Sequence, residues 1–313
     1  MSRAFLAAAV LAVGALAAAS RAAQPDPASS LIGRWDLTIA TTSGARPSWL
    51  EVQRSGTRTL VGRFVGIAGS TRPISKVDLS GDAFSFSIPP QWERGDKDLH
   101  VEGRVDGDQL SGWMTDPAGT RMTWTARRAP SLRRAAAVEW NDPVELFNGS
   151  DTAGWHAQSG TSQWVVVEHT LTSPKSGANL VSDRTFTDFA LHVEFRYPKG
   201  SNSGVYLRGR YEVQIEDGAA PEPATDQLGA IYGFLEPSED AARKAGEWQS
   251  FDITLAGRLV TVILNGETII ANREIPGITG AALDSDESAP GPLMLQGDHG
   301  PIEFRKIIVR PAK

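Results

Sequence analysis

The chain has 313 residues, of which 41% are hydrophobic and 22% charged, and this length favours two domains over one. A formal net charge of -6 argues against a nucleic-acid-binding surface, which requires a basic patch. The sequence contains no cysteine, which excludes disulfide bonds, thiolate metal ligands and cysteine nucleophiles.

Residues 1–23 have the pattern of a secretory signal peptide. Arg3 supplies a positive charge, Ala4 to Ala19 form an apolar run, and small residues lead to Ala23, as in a cleavable leader. The run is shorter and richer in alanine than a membrane-spanning helix. No cysteine follows that could carry a lipid, so we expect a soluble periplasmic or secreted protein without a membrane anchor.

Residues 31–128 alternate between apolar and polar side chains in short stretches separated by turn sequences such as Asp106-Gly107-Asp108. This pattern is typical of antiparallel hairpins and predicts a small antiparallel β-barrel or sandwich domain, whose role the sequence does not indicate. Trp92 or Trp113 could serve as a stacking platform for a sugar, although we favour buried core positions for both. Residues 129–139 lack alternation and are interpreted as a linker.

Residues 140–313 form a second predicted domain, also all-β. The strongest hairpin signal is Asn265-Gly266, which lies between two alternating apolar runs. A short helix is predicted at 237–245, with Ser238 as its cap. About ten strands in this length indicate two packed antiparallel sheets. They are predicted at 164–167, 170–172, 178–182, 187–197, 203–216, 229–234, 248–256, 259–264, 267–270, 292–296 and 301–310.

Three consecutive strand stretches between 189 and 217, of which the second and third are separated at Gly209-Arg210, place polar side chains opposite their apolar ones. The polar set is rich in carboxylates, guanidinium groups and amides, which hydrogen-bond sugar hydroxyls well. A solvated outer face is the alternative interpretation. The set comprises Glu194, Arg196, Tyr206, Arg208, Glu212, Gln214 and Glu216.

A second polar cluster lies near the C-terminus. Gln296 ends a predicted strand on its polar side, and His299 follows in a loop between two glycines, where a ligand can approach closely. An isolated loop histidine is more often simply exposed. No histidine pair has metal-binding spacing, so no metal site is predicted and no cofactor is required, although carboxylates could bind a divalent cation.

The segment from about 140 to 313 resembles the 3-keto-disaccharide hydrolase domain family. The resemblance opens with Leu146-Phe147-Asn148-Gly149 and Gly154-Trp155, and it is most specific in Ser201-Asn202-Ser203-Gly204-Val205-Tyr206-Leu207-Arg208 and Tyr211-Glu212-Val213-Gln214-Ile215-Glu216-Asp217. It continues through Gly229-Ala230-Ile231-Tyr232-Gly233 and ends in Leu295-Gln296 and Phe304-Arg305. It implies a concanavalin-like jelly-roll β-sandwich that acts on glycosides whose C3 hydroxyl has been oxidised to a ketone.

Such a substrate allows a base to remove the acidified C2 proton, after which the glycosidic oxygen leaves and water adds. The predicted catalytic residues, which act as bases, acids or enolate stabilisers, are Glu194, Arg196, Arg208, Glu212, Asp217 and His299. The predicted substrate-binding residues are Asn202, Tyr206, Gln214, Glu216, Tyr232 and Gln296. The expected partner is an oxidised disaccharide or glycoside, supplied by an upstream sugar 3-dehydrogenase.

Two alternatives remain open from the sequence. Glu212 and Glu216 resemble the acidic strand of laminarinase-like sandwich enzymes, which predicts a retaining glycosidase, but Gln214 replaces the central aspartate of that strand. A non-catalytic carbohydrate-binding module is the other alternative, because the same fold serves both purposes.

Overall fold

A computed structural model describes residues 27–134, 137–218 and 224–313. The predicted signal peptide lies outside the described residues. The described residues contain no helix of the length and apolarity needed to cross a membrane. The all-β fold class predicted from the sequence is confirmed.

The N-terminal part is a closed antiparallel barrel of eight strands, preceded by a 3-10 turn at Pro27–Ser30. Alternate side chains fill its interior, including the buried rings of Trp35, Phe64, Phe86 and Trp124. Closure leaves no unpaired sheet edge. The strands are β1 Gly33–Thr41, β2 Gly44–Ser55, β3 Thr59–Val65, β4 Arg72–Ser80, β5 Ala83–Ile88, β6 Leu99–Asp106, β7 Gln109–Thr115 and β8 Arg121–Arg128.

The C-terminal part is a β-sandwich. A five-stranded sheet has the order β10-β13-β20-β15-β16, and an eight-stranded sheet has the order β11-β12-β21-β14-β17-β18-β19, with β9 paired to β21. Their strands are β9 Val144–Glu145, β10 Trp155–Ala157, β11 Val165–Val167, β12 Thr170–Ser173, β13 Leu180–Phe186, β14 Phe189–Arg196, β15 Asn202–Leu207, β16 Tyr211–Glu216, β17 Gln249–Ala256, β18 Leu259–Leu264, β19 Glu267–Glu274, β20 Gly291–Leu295 and β21 Ile302–Pro311.

The core between the two sheets is built by the alternation that the sequence predicts. Leu191, Val193 and Phe195 of β14 face Val213 and Ile215 of β16 across one apolar cluster, and all five are buried. The polar neighbours on these strands therefore point out of the sandwich, away from the core.

Two local predictions are wrong. No helix forms at 237–245, because backbone groups there bond elsewhere: the Ser238 amide donates to the Ile269 carbonyl, and the Asp240 carboxylate accepts from the Ala242 amide.

The segment 229–234 is a loop rather than a strand, since Gly229 and Gly233 both have positive φ values. Its Tyr232 amide donates to the Glu212 carbonyl at 3.1 Å, which fixes this loop against the edge strand β16.

The barrel packs directly on the sandwich through β1, β2 and β3. Trp49 of β2 meets Phe234 edge-on, with ring centroids 5.2 Å apart, and belongs with Val65 to the same apolar cluster as the sandwich core. A Cβ atom at Gly277 would overlap the Trp49 ring. Trp49 and Val65 therefore extend the apolar core of the sandwich into the barrel, whose own interior forms a separate cluster.

Candidate active site on the five-stranded sheet

Three neighbouring strands of the five-stranded sheet build a polar cluster on its outer face. Strand β15 lies between β16 and β20, and the register pairs Tyr206 with Glu212, Gly204 with Gln214, and Asn202 with Glu216. Gln296 follows β20, and its backbone N–H donates to the Gly204 carbonyl at 2.9 Å. This bond places Gln296 beside Gly204, on the other side of which lies Gln214. Paired residues point to the same face of a sheet, so one surface carries all of these side chains.

Glu212 is the centre of this cluster and is 2% exposed. Its Oε2 atom accepts a hydrogen bond of 2.8 Å from the Tyr206 hydroxyl, whose single proton is shared with the Gly280 carbonyl 3.1 Å away. Its Oε1 atom is buried without a hydrogen-bond partner among the described residues. Gly204 makes room for this carboxylate, because a Cβ atom there would overlap Oε1. A free acceptor oxygen on a fixed side chain is suited to take a proton.

Burial raises the pKa of Glu212 to about 8, and the negative charges of Asp298 and Glu216 add to this rise. The Tyr206 hydrogen bond and the nearby His299 charge act in the opposite direction. A carboxyl group with a pKa near neutrality is an effective general base or acid at physiological pH.

Two further acceptors near Glu212 are also unsatisfied. The side-chain oxygens of Gln214 and Gln296, which are 3% and 6% exposed, have no hydrogen-bond partner within the described residues. Buried polar atoms normally find a partner, and exceptions point to an absent ligand or water. Together with Glu212 Oε1 they form a set of acceptors that fits the hydroxyl donors of a sugar.

His299, Glu216 and Tyr232 complete the cluster. A hydrogen bond of 2.7 Å to Asp298 raises the pKa of His299, and the charges of Glu212 and Glu216 raise it further. Burial raises the pKa of Glu216, and burial together with the charge of Glu212 raises the pKa of Tyr232 to about 12. The predicted residues Asn202, Tyr206, Glu212, Gln214, Glu216, Tyr232, Gln296 and His299 therefore lie in one place.

Glu194 and Arg196 do not belong to this site, and their prediction as catalytic residues is corrected. Both lie on β14 in the eight-stranded sheet, where Glu194 pairs with Arg305 and Lys306 at 2.5 and 2.6 Å. Arg196 pairs with Glu303 at 2.5 Å. The chain crosses from one sheet to the other at residues 197–201, so β14 does not share a face with β15 and β16.

Arg208 is also displaced from the site. It begins the three-residue turn at 208–210, in which Arg208 and Gly209 have positive φ values of 53° and 66°, so the alternation of β15 ends before it. The buried guanidinium donates to the Tyr211 hydroxyl at 3.1 Å and to the Glu287 carbonyl at 2.6 Å. It belongs to the buried network around Glu287 rather than to the cluster around Glu212.

Asp217 lies at the edge of the cluster, where its contacts are with the backbone of the crossover turn. Its carboxylate accepts a hydrogen bond of 2.6 Å from the Gly200 amide, and its own amide donates to the Ser201 carbonyl at 3.0 Å. Asp217 thereby holds the crossover turn to the end of β16, one residue beyond the last side chain of the site.

Three contributors were not predicted from the sequence: Gly204, Gly280 and Asp298. A glycine inside an alternating strand indicates close approach of another group, and that signal could have identified Gly204. Asp298 adjoins His299 in sequence, where an acidic neighbour could have been read as its partner. Gly280 acts through its carbonyl oxygen, which no sequence pattern marks. Among the described residues, no group of three or more His, Asp or Glu side chains is arranged to hold a metal ion.

Comparison with known proteins identifies the family of the segment that carries this site. A sequence model of the family described as the 3-keto-alpha-glucoside-1,2-lyase-like domain matches residues 142–310, more than half of the chain. The β-sandwich and its family define a carbohydrate-active enzyme. The chain belongs to the 3-keto-alpha-glucoside-1,2-lyase-like family, and all residues of the candidate site lie within the matched segment.

Several solved structures are similar to this chain. One candidate glycosyl hydrolase from Parabacteroides distasonis ATCC 8503 has 31% identity and a TM-score of 0.48, covering 54% of this chain and 84% of its own. Another from the same organism has 24% identity and a TM-score of 0.42, covering 55% of this chain and 100% of its own. A carbohydrate-binding module from Bacillus subtilis has 12% identity and a TM-score of 0.34, covering 49% and 93%. No protein with a curated description matches.

Proposed function

We propose that this protein cleaves 3-keto-α-glycosides, including 3-keto-disaccharides, by elimination followed by hydration. The observation that carries the proposal is the buried Glu212 carboxyl group, whose pKa is raised to about 8 and whose Oε1 atom has no partner among the described residues. A C3 ketone acidifies the neighbouring C2 proton, and a base of this kind is suited to remove it.

The reaction starts with proton transfer from C2 of the sugar to Glu212 Oε1. The electrons of the C2–H bond form the enolate, with its negative charge on the C3 oxygen. They then return to form the C1–C2 double bond, while the C1–O bond breaks and the leaving oxygen takes a proton. Water adds its oxygen to C1 and a proton returns to C2, so the overall change is addition of one water molecule.

Glu212 is matched to both proton transfers. Near neutral pH a group with a pKa of about 8 exists in both forms, so it can accept the C2 proton and return it during hydration. The hydrogen bond from Tyr206 engages Oε2 and leaves Oε1 free to accept the C2 proton. Tyr206 is therefore a positioning residue in this mechanism.

His299 is the cation assigned to the enolate oxygen. Its raised pKa favours the charged imidazolium, which would stabilise a developing negative charge. Arg196 and Arg208 are both committed to other contacts, so His299 replaces them in this role. Glu216, whose pKa is also raised, is assigned as the proton donor to the leaving oxygen.

The remaining site residues hold the hydroxyl groups of the oxidised ring. The unpartnered amide oxygens of Gln214 and Gln296 accept from hydroxyls, while Asn202 and Tyr232 lie at the margin of the same cluster. The substrate must be formed by oxidation of a C3 hydroxyl, so a sugar 3-dehydrogenase is the class of enzyme that supplies it.

The test is incubation of the purified protein with 3-keto-trehalose and with trehalose, following release of free sugars. Cleavage of the oxidised sugar alone is expected, with a loss of about 10³-fold or more in Glu212→Gln. Glu194→Gln is the matched control, since this carboxylate lies on the other sheet and should retain full activity. Cleavage of trehalose would instead indicate a conventional glycosidase, and sugar binding without cleavage would indicate a binding module.

A further inference from the structure

A loop of the barrel borders the candidate site. The loop at residues 66–71 joins β3 to β4, and its Ile67 carbonyl accepts a hydrogen bond of 2.9 Å from the Ala281 amide. A Cβ atom at Gly280 would overlap the Gly69 carbonyl. The Gly280 carbonyl in turn accepts from Tyr206, the partner of Glu212. The loop is thus connected to Glu212 through two intervening residues, Gly280 and Tyr206.

The same loop also meets the other side of the site. A Cβ atom at Gly233 would lie 2.7 Å from the Thr71 amide nitrogen and 3.1 Å from Ser70. Gly233 directly follows Tyr232, whose pKa is raised by burial and by the nearby charge of Glu212. Two independent contacts therefore fix the barrel loop beside the site.

A second barrel loop, at residues 89–98, places the side chains of Gln91 and Trp92 over the loop at 66–71. The Trp92 ring covers Gly69 so closely that a Cβ atom there would overlap it, yet 65% of Trp92 is exposed. The Gln91 side-chain amide donates to Ser70 Oγ at 2.6 Å. Trp92 therefore contradicts the sequence-based expectation of a buried core position.

This exposed indole rests on a rigid support. The Glu93 carboxylate accepts hydrogen bonds from the amides of Gln91 and Trp92 at 2.9 and 3.1 Å. It also accepts two from the Arg72 guanidinium, at 2.8 and 3.3 Å. An aromatic ring held in place before binding loses little conformational entropy when it stacks on a ligand. An indole next to a side-chain amide combines an apolar face with polar groups for hydroxyls.

We propose that Trp92 and Gln91 form a subsite for the sugar ring on the leaving-group side of the substrate. The identity of that ring depends on the function proposed above, in which the buried acceptors near Glu212 take the oxidised ring. The second, unmodified ring then extends toward the barrel loops, stacks on Trp92 and bonds to Gln91. Selection for a disaccharide over a simple glycoside would come from residues outside the family segment 142–310.

The experiment compares Trp92→Ala with Trp113→Ala on two substrates, 3-keto-trehalose and methyl 3-keto-α-glucoside. Trp113 is the matched control, because it is 45% exposed on strand β7 of the same barrel. Trp92→Ala should raise KM for the disaccharide about tenfold, as expected for loss of one stacked ring, and leave the methyl glycoside unchanged. Equal effects on both substrates, or no effect, would overturn the subsite.

Binding of unoxidised trehalose, measured by calorimetry, separates this proposal from the proposed function. Weaker binding in Trp92→Ala than in the unsubstituted protein and Trp113→Ala would support the subsite even if no oxidised sugar is cleaved. If the protein cleaves 3-keto-trehalose but Trp92→Ala alters neither its KM nor trehalose affinity, the function stands and the subsite is wrong.

Discussion

The Asp36 carboxyl group of the barrel lies close enough to the buried Glu287 carboxylate of the sandwich for the two negative charges to repel each other directly. Glu287 is fully buried and already satisfied by Arg258 and by the Tyr211 hydroxyl at 2.7 Å. Neither Asp36 oxygen accepts a hydrogen bond from an N–H or O–H group among the described residues. Burial and the Glu287 charge raise the pKa of Asp36 to about 9, so Asp36 holds the proton.

Asp36→Asn should stabilise the protein increasingly as the pH rises from about 4 to about 9. The folded state keeps a proton that the unfolded state loses above pH 3.8, so the stability contributed by Asp36 falls through this window. An asparagine amide donates to Glu287 without titrating. The limit for a single proton is about 1.4 kcal/mol per pH unit.

Urea unfolding at pH 5, 7 and 8.5 measures this difference. The exposed Asp106→Asn provides the control, because it removes a carboxylate from the barrel surface without altering the Asp36 and Glu287 pair. A constant difference for Asp36→Asn would mean that Asp36 is ionised in the folded protein.

Glu287→Gln should destabilise the protein less than expected for loss of a buried counter-charge. The Arg258 guanidinium needs a negative partner, and Asp36 can ionise to provide one once Glu287 is neutral. The double variant Asp36→Asn/Glu287→Gln removes both carboxylates. We expect a coupling free energy on the order of 1–3 kcal/mol in a double-mutant cycle, measured by chemical denaturation, whereas additive effects would separate the two residues energetically.

Tyr206→Phe should move the rising limb of the pH profile of kcat/KM to higher pH. The Tyr206 hydroxyl stabilises the ionised form of Glu212, so removing it raises the pKa of this proposed base further above 8. A shift of about one pH unit is expected from a hydrogen bond to a charged group. A lower kcat at all pH values with an unchanged profile would indicate a structural role only.

Gly204→Ala should lower kcat by about 10²-fold without lowering the midpoint of thermal unfolding by more than a few degrees. The added methyl group would displace the Glu212 carboxylate, and small misplacement of a catalytic group costs about this factor. The same substitution in the Glu212→Gln background should cause almost no further loss. A full additional loss there would show that Gly204 acts independently of Glu212.

The sequence predicts the fold well because alternation is a local property. Strand β16 illustrates this: Tyr211, Val213 and Ile215 are buried in the core, and the intervening polar residues share the opposite face. The same reasoning fails for Glu194, since alternation says nothing about which sheet a strand joins. It also fails for Arg208, where a turn with positive φ values interrupts the period.

The sequence could not predict how deeply the site is buried, because burial there depends on contacts between distant parts of the chain. A strand pattern predicts that Glu212 faces away from the core, and by itself this suggests exposure to solvent. The segments carrying Gly280 and Tyr232 cover that face, supported by the barrel. These contacts join residues far apart in sequence, so the raised pKa of Glu212 depends on tertiary structure alone.

The packing of Trp49 against Phe234 and Gly277 has a consequence for how this chain can be divided. The family segment 142–310 excised as a portable catalytic module would lose the indole that closes its core and the loop that backs Gly280. Such a fragment would be prone to aggregate and would hold Glu212 in a wetter environment. An engineered fusion that is to keep the proposed activity therefore needs both the barrel and the sandwich.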